Sequence, residues 1–126
     1  MQLISPEKIF RGNGAWLKAL PHIKKLSKRP LLLGRSLSTN GLRQKVRKDL
    51  YDQNLSIYSS NLQFDCCYED LKRIKTIILK NNCDSVIAAG GGKVLDAGKL
   101  LADSLSIPAI TVPLSCLLYT SDAADE

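Results

Sequence analysis

Residues Asp84 to Lys99 read DSVIAAGGGKVLDAGK, a run that narrows sharply what the chain can fold into. An apolar stretch, Val86 to Ala89, meets three consecutive glycines, Gly90, Gly91 and Gly92, and a helix-compatible segment carrying Lys93, Asp96 and Lys99 follows at once. The pattern reads as strand, turn, helix. Successive glycines cost backbone entropy at every position, so a plain turn rarely uses three. Glycine has no Cβ to hold an anion away, and a helix starting there aims backbone N–H groups and the positive end of its dipole outward. The junction therefore favours a phosphate group, and a nucleotide pyrophosphate first of all. A Walker loop is excluded, because Ile87 and Val94 stand where that motif needs Gly and Ser or Thr, and the third glycine of GxGxxG is missing. Asp96 and Lys99, three apart on one helical face, suit either a surface ion pair or a ligand role for Asp96.

The rest of the chain repeats the same alternation. Lys8 to Arg11 reads as a short extended piece, and Gly12-Asn13-Gly14 as a turn. Ala15 to Leu26 has helical spacing, with Trp16, Leu17, Leu20, Ile23 and Leu26 on its apolar face and Pro21 as a point of kinking or splitting. Leu31-Leu32-Leu33-Gly34 is the continuous apolar run expected of a strand covered on both faces. Gly41 to Asp52 predicts a helix that buries Leu42, Val46 and Leu50 and turns its Arg and Lys residues outward. Leu55 to Ser59 is a weak strand, and Asp65 a candidate N-cap for a helix over Tyr68 to Asn81 striped by Leu71, Ile74, Ile78 and Leu79. Asp84 to Ala89 is the third strand, Val94 to Leu105 a helix, and Ile107 to Val112 a strand broken near its start by Pro108. Strands alternating with helices of this length predict an α/β fold, a Rossmann-like parallel sheet with helices on both faces, because parallel neighbours need a crossover. The triple glycine then sits at a strand's carboxyl end, where such sheets hold ligands.

Composition excludes several classes of function. No window approaches the roughly 18 apolar residues that span a bilayer, and MQLISPEKIF carries a proline and charges where a signal peptide needs an apolar core. The expectation is a soluble, cytoplasmic protein. Cys66, Cys67, Cys83 and Cys116 show no CxxC spacing and read as reduced, structural thiols. One histidine, His22, far from the glycines, leaves too few ligands for a metal site or a Ser-His-Asp arrangement in this chain. The net charge of +6 concentrates in the first fifty residues, which could attract a polyanion. Only Phe10 and Trp16 could stack on bases there, and Trp16 falls on an apolar helix face, so a solvated basic surface is favoured over a small nucleic-acid-binding module.

The last eleven residues, Cys116 to Glu126, break the pattern, as an apolar knot gives way to a small acidic tail. Back-translated, CLLYTSDAADE matches the adapter of a transposase-based sequencing library. Residues 1–115 are accordingly expected to be the native, incomplete dinucleotide-binding domain, and 116–126 a non-native tail.

The run AAGGGKVLDAGKLLADSLSIPAITVP resembles the NAD-binding core of the iron-containing alcohol dehydrogenase superfamily, most closely its glycerol dehydrogenase branch, where GGGKxxDxxK precedes a helix, a strand and a VPT-type loop. SPEKIFRGNGAWLKAL resembles the start of the same family, and the likeness covers about residues 3–115. It implies an N-terminal domain binding NAD or NADP, and an all-helical second domain, absent from this chain, holding a divalent iron or zinc ion. The whole enzyme would be a homo-oligomer passing a hydride between an alcohol or polyol and nicotinamide, and this chain alone would be inactive. By position Gly90, Gly91, Gly92 and Lys93 would meet the pyrophosphate and Asp96 the nicotinamide side. Two positions depart from the branch. Arg35 stands where an acidic residue commonly holds the adenosine ribose, which leans toward NADP, and Leu114 replaces the VPT threonine. Glycerol-1-phosphate dehydrogenase and dehydroquinate synthase relatives share the glycine loop and are the alternatives within the superfamily.

Overall fold

The computed structural model describes residues 8–9, 15–35, 40–63 and 68–113. Their elements run β1 (Lys8–Ile9), α1 (Ala15–Leu26), β2 (Pro30–Gly34), α2 (Asn40–Tyr51), β3 (Tyr58–Asn61), α3 (Tyr68–Lys80), β4 (Ser85–Gly90), α4 (Gly92–Leu105) and β5 (Ala109–Pro113). The five strands form one parallel sheet in the order β1-β5-β4-β2-β3. β2 and β4 are buried along their whole length, the reason their sequences are unbroken apolar runs. Side chains alternate between the two faces. Leu32, Ile87 and Ile110 join Trp16, Leu20, Ile23, Leu42, Val46 and Leu50 from α1 and α2. Leu31, Leu33, Val86 and Ala88 join Ile74, Ile78, Val94, Ala97 and Leu101 from α3 and α4. Each fully buried Leu or Ile side chain contributes roughly 1.5–3 kcal/mol.

The direction of winding reverses in the middle of this sheet. From β2 the chain passes through α2 outward to β3, whereas from β4 it passes through α4 the other way to β5. α2 and α4 cover opposite faces. β2 and β4 are neighbours, so the crevice outside their carboxyl ends is the switch point at which open α/β sheets take ligands.

The opposite, amino ends of β2 and β4 are fastened by Asp84. Its carboxylate accepts hydrogen bonds from Ser27 Oγ at 2.5 Å and from the backbone N–H groups of Lys28 and Arg29 at 2.9 and 3.0 Å, and its own N–H donates to the Arg29 carbonyl at 3.0 Å. Ser85 Oγ extends the network to Ser27 Oγ at 2.7 Å. Burial works against the charge on Asp84, but the Ser27 hydroxyl and the two backbone donors outweigh it and hold the carboxyl below its usual range.

Several local expectations shift. β3 covers Tyr58–Asn61, not Leu55 to Ser59, because Leu55 plugs the core under α1 and α2 and the polar residues after it take the sheet edge. Pro108 lies before β5 and does not interrupt it. α1 runs unbroken through the exposed Pro21. Leu17, Leu26 and Leu79, counted on apolar stripes, are exposed. Arg43, assigned to the outer side of α2, is buried with 5% of its surface exposed. Asp65, Phe10, Cys66, Cys67, Leu114 and residues 116–126 lie outside the described residues.

Candidate functional site

Five of the six residues singled out from the sequence, Arg35, Gly90, Gly91, Gly92 and Lys93, stand at the carboxyl ends of β2 and β4, and Asp96 follows one turn along α4. Leu33 pairs with Ala88 and Gly90 with Pro113, so these ends lie level within about one residue. The glycines divide by what each does. Gly90 ends β4 at φ 148°, a conformation other residues rarely adopt, and is buried. Its glycine is demanded by the backbone. Gly91 has φ −83° and ψ −176°, ordinary extended values, and serves as N-cap of α4 without a capping side chain. A Cβ added to Gly91 or to Gly92 would meet no atom within 4 Å. Neither the backbone nor packing within the chain requires glycine there, and the open space above both is room for a group to approach the main chain.

The first intrahelical bond of α4 runs from Leu95 N–H to the Gly91 carbonyl at 3.1 Å. The N–H groups of Gly92, Lys93 and Val94 precede it in the first turn of the helix, where backbone donors face out from the N-terminus. With the exposed Lys93 beside them, they form a cradle whose donors and charge suit a pyrophosphate. Asp96 and Lys99 are both exposed on α4. A dinucleotide therefore fits the residues present. Among the described residues there is no group of three His, Cys, Asp or Glu side chains that could hold a metal ion.

Two residues of this region carried no signal that sequence reasoning could use. A Cβ on Gly98 would come within 2.6 Å of Ala88 Cβ, so this glycine lets α4 lie tightly on β4. That is the close-packing task of the third glycine in a dinucleotide fingerprint, performed here six residues after Gly92. Gly34, the last residue of β2, is covered by the side chain of Arg43, whose Cδ, Nε and Cζ fill the place a Cβ would take. Burial, and then the charge of Arg47, lower the pKa of Arg43.

The remaining candidates take structural parts. Trp16 is 1% exposed and donates from Nε1 to Asp49 at 2.6 Å, so its ring is not presented for stacking. His22 is exposed on α1. Burial and the neighbouring Asp84 push the Cys83 thiol up to about 11, which leaves it protonated and inert at neutral pH. No helix among the described residues is long and apolar enough to cross a membrane.

Comparison with known proteins agrees with this geometry. A family model described as iron-containing alcohol dehydrogenase matches residues 6–116. A glycerol dehydrogenase of Escherichia coli is 26% identical over 109 residues, 86% of this chain and 30% of that protein. A glycerol-1-phosphate dehydrogenase [NAD(P)+] of Nitrosopumilus maritimus is 30% identical over 112 residues, 89% of this chain and 30% of that protein. The crystal structure of glycerol dehydrogenase from Schizosaccharomyces pombe superposes with a TM-score of 0.74 at 22% identity, over 86% of this chain and 28% of that one. The chain thus spans about 30% of the length of the curated relatives it matches.

Proposed function

The chain belongs to the iron-containing alcohol dehydrogenase family, and from that premise we propose that it is the cofactor-binding part of a metal-dependent, NAD(P)-linked alcohol or polyol dehydrogenase. Residues 1–115 would form its dinucleotide domain. The observation that carries the reading is the pair Gly91 and Gly92, glycines that the fold itself does not need, placed at a switch point before an N-terminus with no side-chain cap. Gly91, Gly92 and Lys93 hold the pyrophosphate through backbone N–H groups and one ammonium. Gly90 turns the chain away so that nothing blocks it, and Asp96 lies one helical turn further along, on the nicotinamide side. Arg35 borders the adenosine end. When bound, the nicotinamide ring supplies a hydride acceptor for the CH–OH carbon of a small alcohol. The residues described here bind and orient that ring and do no proton chemistry of their own.

Ligand-linked stability tests this directly. NAD or NADP at a hundred times its dissociation constant should stabilise the chain by about 2.7 kcal/mol, read as a rise in Tm. Gly92→Val should leave the unliganded Tm within a degree or two, since its Cβ meets open space, yet abolish the rise. No rise with either dinucleotide would overturn the reading.

A further inference from the structure

The rim of the sheet opposite the glycine cradle holds a polar groove of about 560 Å³, between the segment that leads from α1 into β2 and the turn that leads from α2 toward β3. Small-molecule sites span roughly 300–1,000 Å³, so its size suits a ligand. Its walls are fastened main chain. The Ser56 N–H donates to the Lys28 carbonyl at 2.9 Å and ties one wall to the other. The turn is closed by Gln53 N–H on the Leu50 carbonyl at 3.0 Å and Asn54 N–H on the Tyr51 carbonyl at 2.9 Å, and buried Leu55 anchors it in the core. On the facing wall the Asp84 carboxylate holds the N–H groups of Lys28 and Arg29. A groove held in this way is preorganised, so little order has to be created when something binds.

Lys24, Lys28 and Arg29 line the groove, and all three are exposed. Among the described residues none of their side chains forms an ion pair or a hydrogen bond. Two negative groups lie nearby. One is Asp84, whose carboxylate already accepts from Ser27 Oγ and two backbone N–H groups. The other is the carboxyl end of α1, with a partial charge of about −0.5. Three cations against these leave an excess of roughly one and a half positive charges. The lining adds no acid; it adds the amides of Gln53 and Asn54 and the Ser56 hydroxyl, neutral groups that can donate to an anion. Only Leu55 among the lining residues is apolar, which disfavours a greasy ligand. Cations spread over a convex helix face are satisfied by water. Three that share one concavity repel each other, and a bound anion relieves that repulsion.

We propose that this groove is a second anion site, taking a compact molecule with two or more negative charges, an oligophosphate or a polycarboxylate. Lys28 and Arg29 supply the main contacts, and Lys24 closes the groove from the last turn of α1. The length of β2, about 15 Å, separates this site from the glycine cradle, so both can be filled at once. The proposal does not depend on the dinucleotide reading.

The test is calorimetric titration of tripolyphosphate and of citrate, at fixed ionic strength, into the full chain carrying Gly92→Val, which obstructs the cradle at the other rim. At least one of the two should bind saturably at one site per chain, and the tighter of them identifies the kind of anion. Lys28→Gln and Arg29→Gln should each weaken it by at least about fivefold, the scale of a charge-assisted hydrogen bond discounted for exposure. Lys25→Gln, which removes an equally exposed charge from the same helix end but outside the groove, should stay within about twofold of the parent. These positions are exposed, and matching thermal unfolding of the variants confirms that the fold is kept. Equal losses in all three variants would mean diffuse attraction to a basic surface and overturn the site. Absence of saturable binding overturns it as well. Binding to the parent chain that vanishes with Gly92→Val assigns the anion to the glycine cradle, which overturns this proposal and leaves the dinucleotide reading intact.

Discussion

Asp84 is the residue on which the amino end of the sheet turns. Its carboxylate joins the end of α1 to the entries of β2 and β4, and three donors hold it ionised. Asp84→Ala should lower the unfolding free energy by about 2 kcal/mol, the order expected for hydrogen bonds to a charged group, discounted for its partial exposure. The sign with pH follows from its depressed pKa. The contribution is complete above the unfolded carboxylate value of about 4 and is lost as pH falls through the lower folded value. Denaturant midpoints of the two proteins should therefore differ at pH 7 and converge as pH falls below the unfolded carboxylate value of about 4. A gap that stays constant with pH would show that the carboxylate charge is irrelevant. Sequence reasoning had Asp84 only as the start of a strand, since its partners, Ser27 to Arg29, lie more than fifty residues away and no local pattern links them. Arg43 was misplaced for a related reason. A helical wheel sorts residues by type and cannot see that the facing residue is a glycine, whose missing side chain leaves a groove for the arginine stem.

At the scale of elements, the close packing of α4 on β4 can be tested by a single methyl group. Gly98→Ala places a methyl 2.6 Å from Ala88 Cβ and should destabilise the fold by about 1–3 kcal/mol as the helix is forced off the strand. Gly91→Ala, with open space and an ordinary backbone, should stay within about 0.5 kcal/mol of the parent. Thermal unfolding of both variants checks the contrast, and equal losses would contradict it. This split was only half legible. Triple glycine before a helix signals itself, but a lone glycine inside a helix looks like a tolerated weakness until the strand beneath it is known. β3 was mislocated because an edge strand with a polar outer side has little apolar signal, while the apolar Leu55 beside it serves the helices. The doubly buried β2 and β4 were legible almost to the residue, as both faces demand the same chemistry.

Across the whole molecule the strand order sets a gradient of protection. β4 is flanked by β2 and β5 and covered on both faces, whereas β3 and β1 close the sheet at its edges. Amides of Ile87 and Ala88 should exchange at least about tenfold more slowly than those of Tyr58 and Ser60 in native-state hydrogen exchange, because edges open without global unfolding. Comparable rates would mean that the sheet opens only as a unit. The two ends of the sheet also answer to different demands. The Asp84 network knots the amino ends, and the carboxyl ends present bare main chain and arginines to whatever is bound. Such a division lets the two properties be inherited separately: a change of ligand at one rim need not be compensated by repair at the other, so diversification of substrate and tolerance of mutation can proceed on the same scaffold without competing for the same residues.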